Sequence, residues 1–500
     1  MPNSIETLSE AVRRHAREGG HRPALTINSV TTSYGFLDAF AGRLAAGLLR
    51  EGVKEGEVIA VVGDSSTEYV ALMVAASRVG AILAPLPASA TIESLTAMLH
   101  DSGARICFAD PGVEIPPPPP RRLELKGERF AEWLPESGDG TPITPPATNV
   151  AATIIYSSGT TGTPKGIVQS QLYRSALLTG GSARGYTKDG VTLLATPLYS
   201  NTTLASFLLT FGVGGHVVLQ SKFEAGAWLE LAERHGATHA MLVPVMIDRI
   251  LDHPRFAATD LSAFRMKYCT SAPFAIDRKR EVLARWPGGL SEIYGMTEGG
   301  ATFILAAHAH PDKLHTVGKL AAGCRVRILD DNDRDVPAGA AGEIVGEAPS
   351  MMLGYHNRPE ATAECRFTDS DGSVWQRTGD IGQLDADGFL TIVGRKKDMI
   401  ISGGFNIYPI DIETILASHP DIVEVSVVGV PDPRWGETPV AFVVRRPSTE
   451  TDLQAWANER LSRMQKISDL VEVDALPRGD IGKVLKRELR DSYSRSIRSK

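Results

Sequence analysis

The sequence predicts an α/β protein that has a large N-terminal domain and a small α+β C-terminal domain. In the first third of the chain, Val58–Val62 and Ala81–Pro85 have the length and apolar character of buried strands, and Tyr69–Val79 between them is predicted to be a helix. A strand, a helix and a second strand in this order indicate a parallel sheet with a crossover helix. The length of 500 residues allows several domain-sized cores of this kind.

The same alternation continues on both sides of this segment. Ser33–Glu51 has apolar residues at helical spacing, and Gly52 after it is typical of the end of a helix. A second alternating series extends from Thr153 to Leu290, with strands predicted at Thr192–Thr196, His216–Leu219, Ala240–Val243 and Arg265–Cys269. The large domain is therefore expected to contain several subdomains with parallel-type sheets and helices.

The rest of the chain has a different pattern. Gly323–Gly394 contains short segments, many Gly and Asp turn residues and no long helix, which predicts a small β-rich unit, with a barrel as one arrangement. The charged run Arg395-Lys396-Lys397-Asp398 separates two apolar segments and is interpreted as a linker. From Met399 onward the pattern is strand, helix, strand, strand, helix. We therefore expect domains at residues 1–394 and 399–500, joined by a hinge at 395–398.

Composition excludes several classes of protein. Hydrophobic residues make up 43% of the chain and charged residues 22%, which excludes a mostly disordered, collagen-like or coiled-coil protein. No apolar run approaches the roughly 20 residues that a membrane-spanning helix needs. The net charge of −7, without a basic domain, argues against nucleic acid as a partner.

Cysteine usage and the N-terminus point to the cytoplasm. The 4 cysteines are scattered without CxxC spacing, so neither a disulfide framework nor a zinc site is predicted. Residues 1–16 are mixed polar and charged and lack the apolar core of a signal peptide. A reducing, cytoplasmic location is therefore expected.

One loop has the composition of a phosphate-binding segment. Tyr156–Gly166 reads Tyr-Ser-Ser-Gly-Thr-Thr-Gly-Thr-Pro-Lys-Gly and follows a predicted strand, Ala152–Ile155. Its backbone N–H groups, its hydroxyls and the cation of Lys165 together suit a polyphosphate. The loop does not match the Walker pattern, because Lys165 is followed by glycine rather than by Ser or Thr. A flexible turn is the alternative that the loop alone leaves open.

This loop resembles the signature of the adenylate-forming superfamily, which includes acyl-CoA synthetases, firefly-type luciferases and adenylation domains of peptide synthetases. Further matches follow in the family's order along nearly the whole chain, at Ser33-Tyr34, Ala272-Pro273, Ile293–Glu298, Gly354–Thr362, Arg377–Asp380, Gly394–Asp398, Ser402–Pro409 and Gly482-Lys483. One motif could arise by chance, but an ordered series is specific. The resemblance implies an acid–CoA ligase that first converts a carboxylate and ATP into acyl-AMP and pyrophosphate. The thiol of CoA then attacks to give acyl-CoA and AMP.

The resemblance also implies roles for single residues in the first half-reaction. Thr297 would donate to the α-phosphate, and Glu298 would hold Mg²⁺, a cation that prefers carboxylate oxygens and keeps several waters. Asp380 would accept hydrogen bonds from the ribose hydroxyls, although the motif alone also fits a turn aspartate. The phosphate loop would use Ser157, Ser158, Gly159, Thr160, Thr161, Gly162, Thr163 and Lys165, and the nucleoside would contact Ala272, Pro273, Tyr294, Gly295 and Arg395.

The small C-terminal domain is expected to be mobile and to serve both half-reactions. Lys483 matches the family's catalytic lysine, whose ammonium bridges carboxylate and phosphate oxygens as charge builds in the transition state. Lys397 falls at the family's hinge position. Gly403 and Gly404 would let the backbone approach the CoA pantetheine closely, and a plain turn is the alternative for this pair.

The acyl pocket is expected beside the stretch Thr196–Thr203. Amino-acid-activating relatives have an aspartate there, and many fatty-acid and aryl-acid CoA ligases have a histidine where this chain has Ser200. Asn201 and Thr202 are interpreted as helix-capping residues in preference to polar pocket residues. The predicted pocket comprises Tyr199, Ser200, Asn201, Val243, Met246, Met296, Gly299 and Gly300.

Two other functions stay open at this point. The first is an acyl-AMP ligase that loads the phosphopantetheine of a carrier protein, which presents the same thiol as CoA. The second is a non-catalytic nucleotide-binding homologue. A binding protein would not need all four of the charged motif residues that this chain has, which are Lys165, Glu298, Asp380 and Lys483. The acid, whether fatty, aryl or dicarboxylic, and the oligomeric state are left open by the sequence.

Overall fold

The computed structural model describes most of the chain, and its contacts divide it into two compact units. The first unit comprises Met1–Leu314 and Glu347–Gln376, and the second comprises His315–Gly346 and Arg377–Lys500. The described residues are 5–115, 121–138, 142–143, 147–157, 164–349, 351–402, 405–446, 452–463, 465–479 and 483–498.

Helices and strands are numbered here in chain order. The helices are α1 (Leu8–Gly19), α2 (Tyr34–Arg50), α3 (Thr67–Val79), α4 (Ile92–Ser102), α5 (Glu128–Trp133), α6 (Gln171–Thr179), α7 (Asn201–Val213), α8 (Ala225–His235), α9 (Pro244–Leu251), α10 (Ile276–Arg285), α11 (Pro359–Glu364), α12 (Pro409–Ala417), α13 (Leu453–Arg460) and α14 (Lys486–Arg498). The strands are β1 (Pro23–Ile27), β2 (Val30–Ser33), β3 (Val58–Val62), β4 (Ile82–Leu86), β5 (Ile106–Ala109), β6 (Arg121–Glu124), β7 (Ala151–Ser157), β8 (Lys165–Ser170), β9 (Val191–Leu194), β10 (His216–Leu219), β11 (His239–Leu242), β12 (Met266–Thr270), β13 (Gly289–Tyr294), β14 (Phe303–Ala306), β15 (Lys319–Leu320), β16 (Arg325–Leu329), β17 (Gly342–Glu347), β18 (Gly354–Tyr355), β19 (Arg366–Thr368), β20 (Val374–Leu384), β21 (Leu390–Arg395), β22 (Ile400–Ser402), β23 (Phe405–Ile407), β24 (Ile422–Asp432), β25 (Gly436–Arg445) and β26 (Asp469–Glu472).

The larger sheet of the first unit has the strand order β14-β13-β12-β11-β9-β10-β1-β2. The strands from β13 to β1 run parallel to one another, whereas β14 runs antiparallel to β13 and β2 runs antiparallel to β1. The helical segments α7 to α10 connect its parallel strands, as the alternating pattern predicted. Since these strands are parallel, their carboxyl ends all meet at one edge of the sheet.

The smaller sheet of the first unit has the order β18-β8-β7-β4-β3-β5-β6. Its strands from β7 to β6 are parallel, whereas β8 and β18 are antiparallel to their neighbours. Helix α3 is apolar on almost every face and lies in a core that also contains Leu25 of β1 and Ile59 of β3. A helix of this composition is stable only when it is buried, and here it packs within a core shared by both sheets.

The second unit contains two sheets. In the first, β16, β17 and β20 are neighbours, and β21 pairs antiparallel with β20. In the second, a mixed sheet, the order is β23-β22-β25-β24, with β26 parallel to β25. Successive residues of β24 face opposite sides: Val427 packs with Ile412 of α12, and Val428 packs with Leu489 of α14. The sheet is therefore covered by helices on both faces.

The β-rich stretch Gly323–Gly394 is not a single unit, which corrects the prediction. Residues 347–376 lie with the first unit and the remainder with the second. Strand β20 is continuous across this division: its first residues pair with β19 and its later residues pair with β21. The strand order is that of an open sheet among the described residues, so the barrel arrangement was wrong. The predicted hinge at 395–398 and the domain boundaries stay predictions.

None of the helices in the described ranges combines the length and the apolar character that crossing a bilayer requires. The predicted fold class, an α/β protein with a large N-terminal and a small C-terminal domain, is confirmed.

Candidate active site

The predicted nucleoside and acyl residues of the first unit lie along one edge of its larger sheet. Tyr199, Val243 and Ala272 follow the carboxyl ends of β9, β11 and β12, and Tyr294 is the last residue of β13. The register of the pairs, with Thr270 beside Ile293, places these ends next to one another. In open α/β sheets, this edge is where ligands bind.

The segment that leads into the predicted nucleoside slot has an unusual backbone conformation. Ser271 has a φ of 79°, which L-residues other than glycine rarely adopt, and it directly precedes Ala272-Pro273. Its hydroxyl shares a hydrogen bond of 3.0 Å with the hydroxyl of Thr202, on the first turn of α7. Such strain persists only where the surroundings hold it. Sequence reasoning missed Ser271, because a serine carries no signal of a positive φ.

Asn201 and Thr202 do not cap α7, so their interpretation as helix caps was wrong. The helix begins after Ser200 without a side-chain cap bond. Asn201 instead accepts a hydrogen bond of 3.0 Å from Arg174 Nη1, and the Arg174 guanidinium also donates to Thr153 Oγ1 at 2.9 and 3.1 Å. Burial lowers the pKa of Arg174 to about 10. Polar contacts to distant residues thus replace the local cap.

The remaining residues predicted for the acyl pocket fall into two groups. Ser200, Val243 and Met246 are buried, with side chains exposed by 8%, 1% and 7%. Gly299 and Gly300 have φ values of 83° and 98°, and Gly299 N donates to Met296 O at 3.0 Å. The two glycines therefore turn the chain between Glu298 and β14, which is a conformational reason for glycine independent of pocket space.

The predicted phosphate loop is shorter than the sequence suggested. Strand β7 continues to Ser157, and Lys165 is already the first residue of β8, since these two residues pair across the hairpin. The predicted residues 158–163 lie outside the described part of the chain. Lys165 Nζ lies 4.9 Å from the ring centroid of Tyr355, on β18.

Three contacts fix the segment Thr297-Glu298. Gln169 Nε2 donates to Thr297 O at 2.8 Å, and Met352 N donates to Glu298 O at 2.8 Å. The Tyr355 hydroxyl donates to Glu298 Oε1 at 2.9 Å. Burial, reinforced by the Glu298 carboxylate, raises the pKa of Tyr355, so the hydroxyl keeps its proton. Gln169 and Tyr355 were not predicted as site residues, although Tyr355 lies in one of the quoted motifs.

The donor set around Glu298 suits Mg²⁺ bound mainly by a substrate. Among the described residues, no group of three or more His, Cys, Asp or Glu side chains forms a metal-binding cluster. Mg²⁺ at nucleotide sites takes one or two carboxylates and fills its other positions with phosphate oxygens and water. A single carboxylate held in place by a tyrosine hydroxyl fits that pattern.

The second unit gathers the other predicted charged residues. Asp380 on β20 is only 7% exposed, and its Oδ1 accepts a bond of 2.9 Å from Arg395 Nε on β21. These two residues are also direct partners in the strand register. The backbone N–H of Asp380 donates to Thr378 Oγ1 at 3.0 Å, where Gly379 provides a positive φ of 68° between them.

Lys483 belongs to the same charged cluster. Burial lowers the pKa of its ammonium to about 8, and the charges of Arg395 and Lys397 act in the same direction, while Asp380 and Asp398 oppose them. The backbone of Lys483 is tied by Gly479 N, which donates to Lys483 O at 2.9 Å. The charge of Asp380 therefore acts on the residue that matches the family's lysine motif.

The predicted hinge residue lies next to a small cavity in this unit. Lys397 is the central residue of a short 3₁₀ turn, Lys396–Asp398, and Arg490 Nη2 of α14 donates to Asp398 Oδ1 at 3.0 Å. The cavity measures about 350 Å³ and is lined by Thr378, Gly379, Arg395, Lys396 and Lys397. Gly403 and Gly404, predicted for the CoA channel, lie outside the described residues.

Two family models match the chain. The model of the AMP-binding enzymes matches residues 12–356, and that of the AMP-binding enzyme C-terminal domain matches residues 411–483. The chain is 34% identical to a feruloyl-CoA synthase from an Amycolatopsis species, over 96% of this chain and 98% of the relative. It is 32% identical to a fatty acid–[acyl-carrier-protein] ligase from Streptomyces coeruleorubidus, over 98% and 97%. Among solved structures, ATP-bound MatB from Rhodopseudomonas palustris aligns with a TM-score of 0.87 and 29% identity, over 97% of this chain and 99% of the other.

The fold, the site and these matches define the protein as an AMP-forming acid–thiol ligase. The chain belongs to the family of AMP-binding enzymes, within the adenylate-forming superfamily. ATP binding and a CoA-type thiol substrate agree with this family membership.

Proposed function

We propose that this enzyme joins a carboxylic acid to the thiol of CoA through an acyl-adenylate, and that the residues predicted for each step carry it. The observation that carries the proposal is the cluster in which Lys483 lies with Asp380 and Arg395. A partly buried ammonium that interacts electrostatically with the carboxylate proposed to bind the ribose suits the stabilisation of charge near an α-phosphate.

In the first half-reaction, a carboxylate oxygen of the acid attacks the α-phosphorus of ATP, and the bond from that phosphorus to the bridging oxygen breaks. Pyrophosphate leaves with the electron pair. Lys165 balances charge on the β- and γ-phosphates, Thr297 donates to the α-phosphate, and Asp380 accepts from the ribose hydroxyls. Mg²⁺, when bound at Glu298, supplies further charge neutralisation. Lys483 orients the attacking carboxylate against the α-phosphate.

In the second half-reaction, the sulfur of CoA attacks the acyl carbonyl carbon, the thiol loses its proton, and the bond to the phosphate oxygen breaks. AMP is the leaving group. Withdrawal of Lys483 by rotation about Lys397, with Gly403-Gly404 at the pantetheine channel, would allow both steps in one site.

A carrier-protein thiol is a second candidate acceptor. The full-length relative that is a fatty acid–[acyl-carrier-protein] ligase supports it. Feruloyl-CoA synthase, at similar identity, supports CoA. Fatty and aryl acids are the first acids to test, because both kinds occur among these relatives' names.

The experiment is pyrophosphate release measured over a panel of fatty, aryl and dicarboxylic acids, without a thiol, with CoA, and with a holo carrier protein. We expect one acid class to release pyrophosphate, and CoA to accelerate turnover. Acceleration by the carrier protein alone would select the second candidate. A chain that binds ATP but releases pyrophosphate with none of the acids would be a binding homologue instead.

A further inference from the structure

Tyr355 contacts two groups of opposite charge at once. Its hydroxyl donates to Glu298 Oε1 at 2.9 Å, and its ring faces Lys165 Nζ at 4.9 Å from the centroid. Between the Lys165 and Glu298 side chains themselves, both in the described part of the chain, the structure has no direct ion pair. Tyr355 therefore contacts both the Lys165 ammonium, which is proposed to bind the phosphates, and the Glu298 carboxylate, which is proposed to bind Mg²⁺.

The position of Tyr355 is fixed by its own surroundings. Strand β18 is antiparallel to β8, with Tyr355 paired to Ile167, two residues after Lys165. The Tyr355 backbone N–H donates to Thr362 Oγ1 at 2.9 Å. The strand that carries Lys165 thus also sets the backbone position of Tyr355.

A neutral aromatic hydroxyl between these charges has a specific physical effect. If a lysine and a glutamate met directly in a partly buried site, they would pair, and each would have to leave the other before it could bind a ligand. A hydroxyl donor orients one carboxylate oxygen without neutralising its charge. The face of the ring attracts an ammonium more weakly than a carboxylate does.

We propose that Tyr355 is a positioning residue for adenylation, which holds the Glu298 carboxylate ready for Mg²⁺ and keeps Lys165 beside it for the polyphosphate. The proposal rests on the roles of Lys165 and Glu298 in the proposed function. The hydroxyl of Tyr355 would act on Mg²⁺ binding through Glu298, and its ring would act on phosphate binding through Lys165. The two effects can therefore be separated by substitution.

The first test measures ATP binding by calorimetry, with and without Mg²⁺, in wild type and Tyr355→Phe. We expect the variant to bind ATP without Mg²⁺ as wild type does, because it keeps the ring beside Lys165. The additional affinity that Mg²⁺ confers should fall about tenfold, as is typical when a hydrogen-bond partner of a metal ligand is removed. Tyr493→Phe is the matched control, since its hydroxyl also donates to a carboxylate, Asp469 Oδ2 at 3.0 Å, on an element without a predicted role.

Two further variants separate positioning from general stability. Tyr355→Leu removes ring and hydroxyl, so ATP affinity without Mg²⁺ should fall as well. In a Glu298→Gln background, Tyr355→Phe should have no further effect on the Mg²⁺ dependence. An unchanged Mg²⁺ dependence in Tyr355→Phe would overturn the proposal, as would an equal effect in both backgrounds. Neither result would touch the proposed function, which is tested separately by pyrophosphate release from the wild type over the panel of acids and thiols.

Discussion

Under the proposed function, Lys483 is the side chain on which the division between the two half-reactions depends. Lys483→Ala removes the ammonium, and we expect the rate of adenylate formation to fall on the order of 100-fold or more, as for other groups that stabilise charge in a transition state. Thioester formation from supplied acyl-adenylate should change only a few-fold, because that step needs the lysine withdrawn. Both rates are measured in single turnover, with exposed Lys188→Ala as control. Equal loss in both steps would contradict the assignment.

The acidity of Lys483 predicts a pH dependence with a definite sign. Burial and the neighbouring cations lower the pKa of Lys483 to about 8, so the ammonium loses its proton as the pH rises past that value. Since the proposed role of Lys483 requires the protonated form, the adenylation rate should decline about tenfold per pH unit above the pKa. In Lys483→Arg, whose guanidinium stays charged, the declining limb should disappear below pH 10. A decline that Lys483→Arg leaves in place would assign it to another group.

At the scale of elements, the turn between β13 and β14 contains a glycine, Gly299, whose backbone conformation favours glycine over other residues. Gly299 has a φ of 83°, and Gly56, in a distant turn, has a φ of 78°. Gly299→Ala and Gly56→Ala should both destabilise the protein, by about 1 kcal/mol each, because alanine is strained there. Only Gly299→Ala should also reduce adenylation, since it displaces Glu298. Both variants are tested by denaturant unfolding and by pyrophosphate release. Loss of activity in Gly56→Ala as well as in Gly299→Ala would mean that activity falls through general instability.

The connection between α10 and β13 is held by one buried lysine on β12. Lys267 Nζ donates to Trp286 O, Pro287 O and Gly288 O at 3.0, 2.6 and 2.8 Å. Lys267→Met keeps a chain of similar length but leaves three carbonyl oxygens without this donor. We expect the free energy of unfolding to fall by about 3 kcal/mol. Lys222→Met, at an exposed site, should leave it within about 0.5 kcal/mol. Denaturant unfolding measures both variants. Equal unfolding midpoints for Lys267→Met and Lys222→Met would contradict the stabilising role given to Lys267.

At the scale of the whole molecule, nucleotide binding should appear as added stability. ATP at 100 times its Kd raises the free energy of unfolding by about 2.7 kcal/mol for a site that exists only in the folded state. Thermal unfolding with ATP and Mg²⁺ measures this, and Asp380→Ala should lose most of the shift. The control is Asp277→Ala, whose side chain is 90% exposed on α10. A full shift in Asp380→Ala would remove Asp380 from the nucleotide site.

Much of the architecture could be predicted, because local patterns determined it. Val58–Val62 and His216–Leu219 were predicted to the residue, since short apolar runs in an alternating series have few other interpretations. Helix α2 begins after Ser33, whose side chain accepts from Phe36 N, as a capping residue does. The division of the β-rich stretch could not be predicted, because it depends on which strands β20 pairs with.

The site was predicted less completely, and the reasons are physical. Motif residues such as Lys165, Glu298, Asp380 and Lys483 stand at recognisable spacings. The contacts that support them join residues far apart in sequence, as Tyr355 and Glu298 are, and no local pattern reports such a pair. Asn201 was interpreted by a local capping rule, and a buried arginine from another helix overrides that rule.

Under the proposed role of Asp380, the ion pair with Arg395 means that ribose reaches a carboxylate that already has a partner. The sugar hydroxyls would then share this carboxylate with a guanidinium bonded to Oδ1. Discrimination against 2′-deoxynucleotides should then be weaker than two bonds to an unpaired carboxylate would give. It should also change little with ionic strength, because salt screens a partly buried ion pair much less than an exposed one.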